Sequence, residues 1–433
     1  MKRPAVIVAL AIIVLAGVVS GIAANASYGS KAKRSAGSIE VLSLWSGSEK
    51  DAFLKVTGAF TKQSGIDVKY TTARNFVPEL RTRLAAGDPP DVAIIPRPGV
   101  LADFARQGAL KNLGTMGLTS SYMKARYSPA WITLGTVGGK LYGVAAKANS
   151  KTVVWYRPDV FKKYKLKPAS TWAQLLAITK KLKAKGQNPW ASGAKDSWTL
   201  TDWFESTYLR TAGPAKYQKL FTGGLSFSDG SVKTALKFME QVLNDKYVYG
   251  GIQGALGTGF VDGIGQVFGK SPKADLYYEG GFVAGIATQQ VNTSLVIGKT
   301  INDFPFPIIN PKWGRPLLGA GDLATAFKDS PDIRQFLKYI SSAAAGRIWV
   351  STGAIISPNK QVGASAYPNA LVSKEAAQVK SAKVFRFDGS DQLPGSLGDD
   401  WGATLQGIIQ SPSKTNSLLS TFQAKAKKAF AGG

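Results

Sequence analysis

The residues with the clearest chemical potential lie in "SWTLTDWFESTYLRTAGP", Ser197 to Pro214, where Trp198, Asp202 and Trp203 crowd the mouth of a helix. An indole offers a broad apolar plate, and a carboxylate accepts directional hydrogen bonds. Together they suit a ring with C–H faces and a rim of hydroxyls, which is the chemistry of a pyranose. Core packing would use the same tryptophans. Leu200, Phe204, Tyr208 and Thr211 share one helical face, and Asp202 falls on roughly the opposite side. Thr199 with Asp202 fits a capping box, and Gly213-Pro214 stops the helix.

Two absences bound the chemistry. The 433-residue chain has no His and no Cys. Ser-His-Asp hydrolysis, HExxH metalloprotease chemistry, thiolate zinc sites, cysteine nucleophiles and disulfides are therefore excluded. No stretch has the order of a phosphate-binding P-loop; "GTGFVDGIG" lacks the Lys-Ser/Thr that would follow. Carboxylates alone can hydrolyse glycosides, so an Asp91–Asp202 pair keeps a glycoside hydrolase as the enzyme alternative.

The formal charge is +27, and taking away the two charges of Lys2 and Arg3 leaves +25. Nucleic acid, anionic lipid and acidic polymers are the partners such a charge attracts. The lysines are scattered over helices with apolar periodicity ("KKYKLK", "KKLKAK", "AKAKK") and read as solvated faces, so no nucleic-acid partner is expected. Adhesion to acidic polymers is the rival use of that charge.

The elements that must position the tryptophans begin after a special N-terminus. Lys2 and Arg3 precede an apolar run from Ala5 to Val19, and Ala24-Asn25-Ala26 fits a signal cleavage site. The uncharged stretch from Pro4 to Ser30 is also long enough for a retained membrane anchor, so residues 1–26 read as either. Val19-Ser20-Gly21 resembles a lipoprotein box, but Ile22 stands where the lipid-bearing Cys would be, so a Cys-anchored lipoprotein is excluded. Either reading places the protein outside the cytoplasm. Residues 27–38 are small, polar and basic, and read as a flexible linker.

The folded part opens with strand, helix, strand, helix, strand ("IEVLSLWSG", "SEKDAFLKVTGAFTKQSG", "IDVKYTTA", "NFVPELRTRLAAG", "DVAIIP"), a pattern of parallel strands with crossover helices. Trp45 and Arg97, just beyond the first and third strands, then share the carboxyl edge where open sheets bind ligands. Arg97 would fork onto two hydroxyls or form a surface ion pair. "GGKLYGVAAKANSKTVVWYRPDVF" reads as two strands where the chain leaves a first lobe, and Thr171 with Gln174 caps a helix that ends at Gly186.

At this point the order of motifs resembles a family, the extracellular sugar-binding proteins of ABC importers related to maltose-binding protein. The matching segments include "VLSLWSGSEKDAFLKVTGAFTKQSGIDVKY", "LRTRLAAGDPPDVAII", "GKLYGVAAKANSKTVVWYRPDVFKKYKLKPASTWAQLLAITKKLK", "LYYEGGFVAG" and "LGAGDLATAFKDSPDIRQFLKYISSAAAGRIWVSTGAIISPNK". "TDWFESTYLRTAGPAKYQKLFTGGLSFSD" and "FRFDGSDQLPGSLGDDWGATLQGII" look closest to the branch that binds α-glucosides. The resemblance implies an α/β, two-lobed periplasmic-binding-protein-like fold. Each lobe would be a mostly parallel sheet flanked by helices, joined by a multi-segment hinge. The N-lobe would comprise 39–146 plus 304–352 and the C-lobe 147–303 plus 353–433.

It also implies a binding protein with no catalytic role, cofactor or metal. Such a protein is monomeric, captures an oligosaccharide between its lobes and hands it to a membrane permease. An acidic oligosaccharide held by Arg97 or nearby lysines is the variant ligand. Matching positions add Asp91, Tyr278, Glu279, Gly280, Gly281, Asp322, Asp391 and Trp401 to the candidate contacts Trp45, Arg97, Trp198, Asp202 and Trp203. Burial, capping or turn roles are the alternatives for each.

Overall fold

The computed structural model describes residues 37–73, 75–382 and 384–431. The expected signal or anchor, and the linker up to Ala36, lie outside the described residues. Strand β1 (Ser38–Ser43) is followed by helix α1 (Gly47–Ser64), β2 (Asp67–Thr72), α2 (Phe76–Ala85), β3 (Val92–Ile95) and α3 (Pro98–Arg106). In α1, Ala52, Phe53, Val56 and Phe60 are buried at helical spacing. Gly65 then turns the chain out with φ 74° while its N–H bonds the Thr61 carbonyl, so the left-handed stop requires glycine there. β1 pairs in parallel with both β2 and β3, as the alternation of strands and helices predicts.

The chain then runs through β4 (Val144–Ser150) directly into β5 (Val153–Tyr156). These consecutive strands belong to different sheets. β4 pairs with β8 (Leu317–Ala326) in the larger sheet, whereas β5 lies between β6 (Leu276–Glu279) and β7 (Asn302–Pro305) in a three-stranded one. Lys151 and Thr152 are the whole of this crossover. The larger sheet has the order β9–β8–β3–β1–β2, with β9 (Phe385–Phe387) parallel to β8.

The fold is α/β and two-lobed, but parallel pairing covers only part of it. β8 runs antiparallel to β3 and β4, and the three-stranded sheet is antiparallel throughout. Crossover reasoning fixes the direction of strands that follow one another through a single helix. The segments between β5 and β6 and between β6 and β7 are long helical excursions, which leave direction free.

One apolar core forms around the larger sheet, with Val41, Phe53, Ile94 and Trp349. Another surrounds the Trp198–Thr211 helix, with Trp203, Phe204, Phe306 and Trp401. Thr171 and Gln174 make the reciprocal capping box that their spacing predicts. The box expected at Thr199 and Asp202 does not form, because the Thr199 hydroxyl bonds the Gly193 carbonyl and Asp202 is held by Lys151.

Candidate functional site

The polar interior is organised by the β4 strand and the crossover. Residues 147, 149 and 151 alternate along an extended chain, so Lys147, Asn149 and Lys151 share one face. Lys147 stands opposite Asp322 of β8, with its Nζ 3.8 Å from Oδ2, and it also bonds Glu49 of α1. The same Asp322 oxygen accepts the Trp45 indole N–H at 2.9 Å. Burial opposes the charge on Lys147, yet Glu49 and Asp322 outweigh it and keep the ammonium above its ordinary range.

Lys151 repeats this arrangement. Its Nζ lies 2.9 Å from Asp202 Oδ1, 2.5 Å from Asp388 Oδ2 and 5.4 Å from the centre of the Trp198 ring. Asp202 projects from the Trp198–Thr211 helix, and Asp388 from the loop after β9. One turn beyond Asp202, Glu205 accepts the Gly389 and Ser390 N–H groups at 2.6 and 2.9 Å, which holds that loop against the helix. Burial would raise the Asp388 carboxyl, but Lys151 and the Ser390 hydroxyl hold it far below the usual carboxylate range.

Asp202 is pushed up to about 7, by burial first and Asp388 second, against the pull of Lys151. Its other oxygen faces Glu279, and neither that oxygen nor the Glu279 carboxyl has an ordinary donor. A proton shared between the two carboxyls resolves this, and burial beside Asp202 holds Glu279 well above its ordinary range. Asp391 completes the group. Its carboxyl is raised by burial and by Asp388, and lies 3.6 Å from Arg97 Nε, while Arg97 Nη2 reaches Asp399 at 2.7 Å.

The sequence candidates divide accordingly. Trp198 is half-buried and adjoins Phe260 and Phe282 at ring separations of 4.8 and 6.2 Å, which gives an aromatic surface beside Lys151. Arg97 and Asp391 lie in the charged network around Lys151, whereas Asp322 belongs to the Lys147 group beside Trp45. Trp45 and Arg97 do leave the carboxyl ends of neighbouring strands, but the Trp45 ring is 1% exposed against Phe53 and Trp349 and presents only its N–H, to Asp322.

Asp91 precedes β3, at the opposite end from Arg97, where it accepts the Glu40 N–H and pairs with Lys328. Asp202 and Glu279 are fully enclosed. Trp203 packs on Trp190, Tyr278 and Phe306 and has no open face. Tyr278 directs its hydroxyl to the Lys151 carbonyl at 2.6 Å. Trp401 is a core residue between Phe204, Phe227 and Phe422.

Gly280 and Gly281 do allow close approach, but by the protein's own groups. A Cβ would fall 2.3 Å from the Phe282 ring at Gly280 and 1.9 Å from the Glu375 carboxyl at Gly281. Asp202 lies opposite the apolar face and is nevertheless enclosed, because Thr199 through Arg210 are all buried, on every side of that helix.

Lys147, Lys151, Glu49, Asp388, Phe260 and Phe282 join this charged and aromatic cluster without having been singled out in the sequence. The signal for the two lysines is present in "AKANSKT", where polar residues alternate inside an otherwise apolar strand. The arrangement can present fixed hydroxyl acceptors, one guanidinium and an aromatic face. Among the described residues, no acidic group has the makings of a metal site.

Comparison with known proteins adds independent findings. The model of the bacterial extracellular solute-binding proteins matches residues 46–347. The osmoprotective compounds-binding protein GgtB of Synechocystis sp. is 36% identical over 365 residues, which is 83% of this chain and 85% of that protein. The alpha-glucosides-binding periplasmic protein AglE of Rhizobium meliloti is 32% identical over 379 residues, covering 84% and 81% respectively. The crystal structure of AcbH, a bacterial solute receptor with an exclusive preference for β-D-galactopyranose, superposes with a TM-score of 0.81. It covers 91% of this chain and 99% of its own at 20% identity, a likeness that speaks to fold.

Proposed function

This chain belongs to the bacterial extracellular solute-binding protein family, and we propose that it is the receptor of an ABC importer for a neutral oligosaccharide, an α-glucoside. Trp198 carries the sugar reading. Its ring is partly open, is extended by Phe260 and Phe282, and adjoins buried acceptors that are already oriented. The α-glucoside class is supported by the likeness to AglE over most of both chains.

Ligand contacts are assigned to Trp198, Arg97, Asp391 and Asp322. The lobes are taken to form around the two sheets, the larger with β4, β8 and β9 and the smaller with β5, β6 and β7, so the expected bounds 39–146 plus 304–352 and 147–303 plus 353–433 shift at β4, β7 and β9. Sugar bridging the two favours the closed state, which a membrane permease then recognises. The protein acts as a monomer at the outer face of the cytoplasmic membrane or in the periplasm. Arg97 is engaged by both Asp391 and Asp399, which favours a neutral ligand over an acidic one.

The test is a thermal-shift screen with maltose, trehalose, sucrose, maltotriose, xylobiose, cellobiose and a uronate oligomer. Ligand at 100 times its dissociation constant adds about 2.7 kcal/mol, a rise of a few degrees. A shift with the α-glucosides is expected. A shift with the uronate alone, or with none of the seven, overturns the proposal.

A further inference from the structure

Lys147 and Lys151 make two copies of one device. Each ammonium is nearly enclosed, with side-chain exposures of 6% and 9%. Each also meets two carboxylates from distant segments: Glu49 and Asp322 for Lys147, Asp202 and Asp388 for Lys151. Each lies near one tryptophan ring, Trp45 at 5.2 Å and Trp198 at 5.4 Å. Four residues of extended chain, about 13 Å, separate the two Cα atoms. They sit at the point where the chain passes from one sheet to the other.

The Lys151 backbone is tied to both sides. Its N–H donates to the Leu318 carbonyl of β8, and its carbonyl accepts from the Tyr278 hydroxyl of β6. Asp202, Asp322 and Asp388 are buried, and enclosed with no cation they would have to take up protons and turn from acceptors into donors, whereas Glu49 is partly exposed. A cationic ligand could supply the missing charge, but the Lys151 ammonium already occupies the place between Asp202, Asp388 and the Trp198 face.

We propose that Lys147 and Lys151 are positioning residues for ligand capture, one on each side of the crossover. Each orients its carboxylate pair beside its tryptophan, Lys151 holds Asp388 ionised, and together they restrict the site to uncharged ligands. This rests on the sugar-receptor reading for the identity of the ligand, though not for the role of the lysines in ordering the carboxylates.

Two measurements test it on the intact protein. The first needs no sugar: 13C titration of the aspartate carboxyls in the native protein and in Lys151→Met. Asp388 stays ionised down to pH 4 in the native protein and titrates above that in the variant. An unchanged Asp388 overturns the proposal.

The second is calorimetric binding of maltose, trehalose and sucrose to the native protein, Lys147→Met, Lys151→Met and Lys151→Arg. Each Met variant weakens binding by roughly 30-fold or more, the scale for removing one partner of a buried charged pair. Lys151→Arg recovers most of that loss. Native-like affinity in the Met variants overturns the proposal, and so does a loss that Arg fails to recover. If Lys151→Met does not fold, Lys147→Met and Lys151→Arg carry the same decision. If the native protein binds none of the three sugars, the sugar reading falls, while the carboxyl titration still decides the role of Lys151.

Discussion

Glu279→Gln tests the shared proton directly. Glu279 is fully enclosed beside Asp202, and burial with that neighbour holds its proton to well above the usual carboxylate range. A carboxyl whose folded pKa is raised keeps a proton that the unfolded chain releases. Stability from that proton is therefore fully present below the unfolded value and is lost as pH rises toward the folded one. Each pH unit over which the folded state holds one extra proton costs about 1.4 kcal/mol. Between pH 5 and pH 8 Glu279 accordingly destabilises the fold by that amount for each unit over which it keeps its proton.

A glutamine amide can donate the same bond to Asp202 with no proton to lose. Glu205, Glu375 and Asp391 also carry raised carboxyls, but they are common to both proteins and cancel in the difference. Urea unfolding at pH 5, 6, 7 and 8 should show near-equal midpoints at pH 5. A growing advantage for Glu279→Gln should then appear toward pH 8, with no change in denaturant slope. Parallel profiles would refute the shared proton.

Trp401→Ala should cost about 3–5 kcal/mol, because the ring is fully enclosed by Phe204, Phe227 and Phe422; a loss under about 1 kcal/mol in urea unfolding would contradict its place in the core. Trp198→Ala should change stability by about 1 kcal/mol or less yet abolish the sugar-dependent thermal shift, and retention of that shift would remove Trp198 from the site. Gly99→Ala would set a Cβ 2.3 Å from the Leu393 carbonyl oxygen and 2.8 Å from Gln392 backbone atoms. It should push α3 off that loop, break the Arg97 pairs with Asp391 and Asp399, enlarge the radius of gyration by X-ray scattering and weaken sugar binding. Native-like scattering and affinity would show that this contact does not hold the lobes.

What was legible in the sequence follows from how local the deciding physics is. The β1–α1–β2–α2–β3 order, the Gly65 stop and the Thr171 cap are set within a few residues, and the structure has all three. The family was legible because its motifs recur in order along the chain. The direction of β6 and β7 was not, since long excursions precede them.

Site residues were harder for a specific reason. Trp203 and Trp401 have the same side chain as Trp198, and only the surrounding rings, drawn from distant segments, decide which indole keeps an open face. Asp202 stands out in the sequence as a polar group in an aromatic helix. Its partner, however, is 51 residues away on a crossover that reads as an ordinary turn. Lys151 carries no signal alone; it shows only as the end of the alternation with Lys147 and Asn149.

The position of Trp198 also gives the protein an optical property. Of its ten tryptophans, Trp198 and Trp313 are the partly exposed ones, and the other eight are buried. Trp313 is anchored by its N–H to the Thr211 carbonyl and has Lys312 over its ring. An indole with an ammonium near its face emits differently once a neutral molecule covers that face and excludes water. Emission from unlabelled protein, compared between the native chain and Trp313→Phe, should therefore report occupancy of the Trp198 surface in real time. Spectroscopically, the site carries its own reporter, and association rates can be followed without attaching a dye that would itself compete for the aromatic face.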